Sequence, residues 1–157
     1  DTFFNTDAAG WAPIGAEIPV ELEEIDEVDG SITGFLDSVR QHPDAGLAVL
    51  DYKTSHEQKS LQESQQLILY IKAAIERFDE EVTHAGYVYV GEAGPDVQLF
   101  EKSQLEARWD EVIDKLTAAD ESSYENVTSG SHCKYCEHRS LGCSGSDYEY
   151  EDAFELN

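Results

Sequence analysis

The run Leu47-Ala48-Val49-Leu50 passes without a break into Asp51-Tyr52-Lys53. Four consecutive apolar residues bounded by turn signals read as a strand covered on both faces, hence a central one. The charged triplet at its end lies where α/β proteins tend to place their sites, beyond a buried strand end. Any fold for this chain must bury the run and bring Asp51 and Lys53 to its mouth.

The neighbouring segments supply that fold. Residues 1–15 read as a loop segment with Gly10, Pro13 and Gly15. Ala16 to Ile25 reads as a strand on Ile18, Val20 and Leu22, and Asp29-Gly30 is a strong hairpin-turn pair. Ser31 to Val39 reads as a second strand, followed by the turn His42-Pro43-Asp44-Ala45-Gly46. After the third strand, Leu61, Leu67, Ile68, Ile71, Ala74, Ile75 and Phe78 fall at helical spacing and predict a helix over 57–78. His84 to Val90 and Val97 to Phe100 alternate as strands. Ser103-Gln104-Leu105-Glu106 has the pattern of a capping box opening a helix with Trp109, Val112, Ile113 and Leu116. The order β-β-β-α-β-β-α makes an α/β (α+β) fold, a mixed central sheet flanked by helices. The expected divisions are the loop segment 1–15, a core over 16–117, a loop and cysteine segment over 118–146 and an acidic tail over 147–157.

Asp51 and Lys53, two apart on one strand, share a face. Asp37 is expected near the end of the neighbouring strand, across the short turn. Two carboxylates on adjacent strands can share one hard cation, with the Tyr52 carbonyl as a further oxygen ligand. Mg²⁺, which keeps several waters and few carboxylates, or Mn²⁺ suits so sparse a set. Lys53 beside it can orient or deprotonate a water, or neutralise charge on a phosphoryl oxygen. The plainer reading is a surface ion pair between Asp51 and Lys53.

Gly34-Phe35-Leu36-Asp37, then Leu47-Ala48-Val49-Leu50-Asp51-Tyr52-Lys53-Thr54-Ser55, then Gln66-Leu67-Ile68-Leu69-Tyr70, resembles the PD-(D/E)xK nuclease superfamily, most closely its RecB-like exonuclease branch. The likeness covers roughly residues 17–75, with the C-terminal cysteines extending it. It implies a restriction-endonuclease-like core and hydrolysis of DNA phosphodiester bonds. It implies Asp37 and Asp51 as metal ligands, Lys53 as the catalytic lysine, and Gln66 and Tyr70 as a helix face turned to the site and DNA. It further implies a setting in recombination, repair or CRISPR adaptation, with a helicase or another such protein as partner. Leu36 stands where the superfamily's name has proline. Glu17 and Glu21 lie on the first strand, where solvation explains them as well as a site role does. The branch places a helix before the first strand, and nothing in residues 1–15 resembles it; without it the site is short of a ligand or impaired. The alternative is therefore a catalytically impaired module that binds DNA or a protein.

Cys133, Cys136 and Cys143 form C-x₂-C-x₆-C. An odd number of clustered cysteines does not make a disulfide framework, and C-x₂-C is a thiolate chelate for Zn²⁺ or an Fe–S cluster. Several nucleases of the resembled branch join three such cysteines to a fourth, far upstream, around a [4Fe–4S] cluster. Here the fourth ligand lies upstream, or His132 or His138 completes a Zn²⁺ site, or the thiols are free.

Asp and Glu number 34 against 10 Lys and Arg, a formal net charge of −24. With 40% apolar residues and clear periodic segments this is not a disordered composition. It fits a salt-rich cytoplasm, where a Debye length of ~3 Å at 1 M salt removes most self-repulsion. No apolar stretch approaches the ~20 residues a membrane helix needs, and the N-terminus has no signal-peptide pattern. The absence of Met at the start sets the expectation of a processed chain or a piece of a longer one.

Overall fold

The computed structural model describes residues 7–23, 25, 28, 30–44, 46–54, 58–91, 96–121, 130, 133 and 136. Two compact units are present, Asp1–Thr117 and Ala118–Asn157. The first contains a five-stranded sheet of β1 (Pro13–Leu22), β2 (Ile32–Gln41), β3 (Leu47–Lys53), β4 (Val82–Tyr89) and β5 (Asp96–Glu101) in the order β1-β2-β3-β4-β5. Neighbours are antiparallel except β3 and β4, which run parallel. That exception follows from the connection. α1 (Gln65–Arg77) crosses between these two strands and returns the chain in the same direction. α2 (Lys102–Glu106) and α3 (Trp109–Asp120) follow β5.

β3 is the middle strand, and all four residues of its apolar run are fully buried. Period-2 alternation divides them between two faces. Leu47 and Val49 join Leu67, Ile68 and Ile71 of α1 in the main core, whereas Leu50 packs with Val88 and Ala8 on the other face. Ala8 lies in a 3-10 turn, Asp7–Gly10. The N-terminal segment is therefore more ordered than the expected loop, and β1 begins at Pro13, three residues before the expected start.

Three other local expectations need correction. Asp29-Gly30 does not form a two-residue hairpin, because Leu22 pairs with Ile32 and leaves a longer connection. Gly30 does take positive φ, +117°. The helix expected over 57–78 is a 3-10 turn, Leu61–Glu63, followed by α1. Its buried stripe is Leu67, Ile68, Ile71, Ala73 and Ala74, and extended backbone at Phe78 ends it. The capping box is shifted too: Glu101 caps α2 with Gln104, and the helix breaks at Ala107-Arg108 before α3. Arg108 uses that break to donate to the carbonyls of Leu61 and Gln62, bracing the turn that leads into α1.

The turn between β2 and β3 depends on Gly46. Its φ is +58°, and a Cβ there would lie 2.3 Å from the carbonyl oxygen of Glu81. That oxygen already accepts from Leu47 N–H at 2.7 Å, so it cannot withdraw cheaply. Beside this turn the His42 and His84 rings stack at 4.2 Å, and Trp11 meets His42 edge-on at 5.0 Å. Burial first, then the His42 ring, lowers the His84 pKa, against Glu101 and Asp44, which raise it.

Gly46→Ala is expected to lower stability by about 1–3 kcal/mol, while Gly10→Ala, with open space around its Cβ position, stays near neutral; urea unfolding of both variants checks this. The depressed His84 value means that the unfolded chain takes up a proton before the native one does. Stability from this site is thus present above about pH 6.5 and is lost as the pH falls through the lower native value. His84→Asn should flatten the loss of urea midpoint between pH 7.5 and pH 5 relative to the unsubstituted protein.

Candidate active site at the fork between two strands

The β2–β3 ladder runs from Gln41↔Leu47 to Ser38↔Leu50 and stops there. Beyond it β2 remains paired with β1, and β3 with β4, so the two strands part at Asp37 and Asp51. Asp37 is thus inside β2, not near its end as the sequence suggests. Leu36 and Val39 both join the main core although strand residues three apart face opposite ways, so β2 turns over around Asp37. At the same level β1 departs from regular extension: Glu17, between the pairs Ala16↔Ser38 and Ile18↔Leu36, has φ +50°.

Parting strands leave backbone donors without partners, and buried donors need them. Here Asp37 supplies one. Its Oδ2 accepts from Tyr52 N–H at 3.0 Å, which seats the carboxylate at the mouth of the fork. Lys53 C=O accepts from Val90 N–H on the β4 side. Successive strand residues direct their polar backbone groups to opposite sides, so the Tyr52 carbonyl turns toward the fork with its N–H.

Asp51 is 2% exposed. Its Oδ2 lies 2.5 Å from Lys53 Nζ. Burial raises the Asp51 pKa, the hydrogen bond and charge of Lys53 lower it, Asp37 raises it and Lys59 lowers it. Lys53 Nζ in turn donates to Gln66 Oε1 at 3.2 Å, and Gln66 Nε2 donates to Tyr70 OH at 2.7 Å. Gln66 and Tyr70 are one turn apart on α1, as the spacing requires. Burial raises the Tyr70 pKa, Gln66 opposes it, and Asp51 and Asp37 add to it. Asp37, Asp51, Tyr52, Lys53, Gln66 and Tyr70 therefore meet at one place, linked in series from β2 to α1.

The donor set fits a hard divalent cation. Two carboxylates and one ammonium leave a negative charge in a largely desolvated fork, and like charges there are costly without a counter-ion. Oxygen donors are what Mg²⁺ or Mn²⁺ takes. Among the described residues no group of three or more His, Cys, Asp or Glu is gathered for a metal, so any ion here rests on two carboxylates, a backbone carbonyl and water.

Tyr87 and Lys59 also belong to this neighbourhood. Tyr87 pairs with Asp51 across the parallel β3–β4 ladder and is fully buried. Lys53 Nζ and Lys59 Nζ lie 5.4 Å and 5.6 Å from its ring centroid. The alternation of β4 puts Tyr87 on one face, but only the parallel register sets it beside Asp51. Of the cysteines, Cys133 is buried and Cys136 exposed. Cys133 N–H donates to Gly130 C=O, Cys136 N–H to Cys133 C=O, and Gly130 N–H approaches Cys133 Sγ at 3.4 Å. Cys143, His132, His138 and the acidic segment 147–157 lie outside the described residues.

The pattern of the PD-(D/E)XK nuclease superfamily matches residues 3–141. Among solved structures, one described as "Crystal structure of SSO0001" is similar in fold, with a TM-score of 0.50 and 17% identity over 83% of this chain. The chain spans 60% of the length of that structure, and the likeness bears on the fold alone. No curated protein matches the chain. No described helix is long and apolar enough to cross a membrane.

The hydrogen bond from Tyr52 separates the two tasks of Asp37. Asp37→Ala removes the acceptor and should cost about 0.5–1.5 kcal/mol. Asp37→Asn keeps an acceptor oxygen and should cost clearly less, while losing the charge. Urea unfolding at pH 7 without metal checks the order; equal losses would show that Tyr52 does not depend on this acceptor.

Proposed function

Because the chain belongs to the PD-(D/E)XK nuclease superfamily, we propose that it is a Mg²⁺-dependent deoxyribonuclease of the RecB-like exonuclease branch. The observation that carries this reading is the linked series Asp37–Tyr52, Asp51–Lys53–Gln66–Tyr70 at the strand fork. A module that had lost its chemistry would have no reason to keep a buried carboxylate in contact with a lysine that a helix glutamine also holds. Gln66 and Tyr70 favour a nucleic-acid substrate over a small phosphate ester, by their match to the branch's helix motif.

Asp37 and Asp51 would hold the ion, with the Tyr52 carbonyl beside them. When bound, the ion supplies Lewis acidity to the scissile phosphate. Asp51, buried and next to Lys53, presents a fixed carboxylate that need not reorganise during the reaction. Lys53, held between Asp51 and Gln66, orients the attacking water or neutralises charge developing on a non-bridging oxygen. Gln66 keeps that ammonium aimed into the fork; the ammonium, a donor only, in turn fixes Oε1 of Gln66 on its side, leaving Nε2 to donate to Tyr70 OH.

The cysteine segment is read as a metal staple, with Cys133, Cys136 and Cys143 holding a [4Fe–4S] cluster or Zn²⁺. The approach of Gly130 N–H to Cys133 Sγ supports it, since hydrogen bonds to ligand sulfurs tune such sites. Iron with sulfide in a brown preparation would specify the cluster, and zinc in a colourless one the alternative. The acidic composition fits work in a salt-rich cytoplasm. The branch suggests recombination, repair or CRISPR adaptation, with a helicase or similar protein as partner.

Labelled single- and double-stranded DNA, incubated with Mg²⁺ or Mn²⁺ in molar KCl, tests the activity. Asp51→Asn and Lys53→Ala should each lower kcat/KM by about 10²–10³-fold or more, and chelation should stop cleavage. Variants that cleave as the unsubstituted protein does would overturn the catalytic assignment. DNA bound but uncut by every form would leave the non-catalytic binding module.

A further inference from the structure

Lys59 is held in a way that its distance from the sequence motifs does not explain. Its backbone N–H donates to Tyr89 OH at 2.7 Å, and its backbone carbonyl accepts from Gln98 Nε2 at 2.8 Å. Tyr89 OH donates to Gln98 Oε1 at 3.1 Å and closes the ring of contacts. Two side chains, from β4 and β5, thus read both polar groups of one peptide residue as a neighbouring strand would. Gln58, the preceding residue, is tied to Asp96 at the start of β5. Three anchors on a segment of irregular backbone fix where the Lys59 side chain starts.

That side chain ends beside the fork. Its ammonium lies 5.6 Å from the centroid of the Tyr87 ring, which Lys53 approaches at 5.4 Å, and Tyr87 is the register partner of Asp51. Lys53 is engaged by Asp51 and Gln66. Among the described residues no carboxylate stands within ion-pair distance of Lys59, as is also true of Arg77 and Lys115, whereas Lys72, Lys102 and Arg108 each have one. What sets Lys59 apart is that its backbone is clamped at both polar groups while its ammonium stands near Asp51, close enough to lower that carboxyl's pKa, without an ion pair among the described residues.

We propose that Lys59 forms a second phosphate subsite of the fork, binding the non-bridging oxygens of a nucleic-acid backbone phosphate next to the one at Asp51 and Lys53, with Tyr89 and Gln98 as its positioning residues. This rests on the nucleic-acid substrate proposed above and deepens it. Cation and aromatic ring together give a phosphate a charge partner without committing Lys59 to a carboxylate. The contact is with backbone, so it is indifferent to base sequence.

The test separates binding from cleavage. A fluorescein-labelled single-stranded oligonucleotide is titrated by anisotropy against Asp51→Asn and against Asp51→Asn combined with Lys59→Ala, Lys59→Gln, Lys59→Arg or Tyr89→Phe, with Mg²⁺ over a series of KCl concentrations. Lys59→Ala and Lys59→Gln should weaken binding about tenfold for any sequence and reduce the slope of log K against log salt by about one. Lys59→Arg should restore most of both; Tyr89→Phe should weaken binding and leave the slope closer to its starting value. In the cleaving protein, Lys59→Ala should raise KM more than it lowers kcat. An unchanged slope, or an arginine variant no better than alanine, would overturn the subsite, because a merely structural Lys59 does not change counterion release. If the salt slope drops as expected while the unsubstituted protein cuts no DNA, the subsite stands and the nuclease assignment falls. If the protein binds no oligonucleotide, the subsite falls as well.

Discussion

The parting of β2 from β3 is the constraint on which the site depends. A sheet that stayed paired through Asp37 and Asp51 would spend the Tyr52 amide on a ladder bond and press two carboxylates together between strands. Because the ladder ends at Ser38↔Leu50, the amide is left for Asp37, and the two carboxylates stand where the strands part. The turnover of β2 around Asp37 and the positive φ of Glu17 beside it are the backbone's adjustment to that parting. β3 can leave β2 at this point because β4 continues to pair with it through Lys53↔Tyr89. The parallel crossover through α1 thus does two things: it keeps β3 rigid past the fork, and it brings Gln66 and Tyr70 over the fork's mouth.

How much of this was legible in the sequence follows the range of the forces involved. The apolar run Leu47–Leu50 announced a central strand because burial on both faces leaves no room for polar alternation, and β3 is that strand. The Asp51–Lys53 pairing and the Gln66–Tyr70 pairing were also legible, since each depends on a local period of two or four residues. Boundaries were less so. Asp29-Gly30 carries the local preference for a tight turn, yet Ile25 and Leu22 are buried with Ala73 of α1, and that packing draws the connection out. Ser103 could cap a helix by pattern, but Glu101 does so instead, as β5 delivers the chain to α2 two residues earlier. Lys59 and Tyr87 gave no motif at all. Tyr87 reaches Asp51 by pairing between strands 36 residues apart, and Lys59 is placed by Tyr89 and Gln98, 30 and 39 residues further on, which no local period encodes. For the cysteines the pattern was plain, and the described residues reach only two of them.

A formal net charge of −24 and the proposed polyanionic substrate look incompatible until the charges are placed. Net charge acts at long range, and salt removes it within a few ångströms at high ionic strength. What a phosphate would meet at the fork on the proposed reading is local: Lys53 and Lys59 near one buried ring, and two carboxylates that would share a divalent ion. Contacts at that distance, partly desolvated, are screened far less than surface charges. An acidic chain in molar salt gains little affinity from counterion release, so discrimination and binding must come from positioned groups. On the proposed reading, the clamp on Lys59 and the Gln66 hold on Lys53 answer such conditions: when attraction from afar is gone, a cation contributes only if it already stands where the phosphate would be.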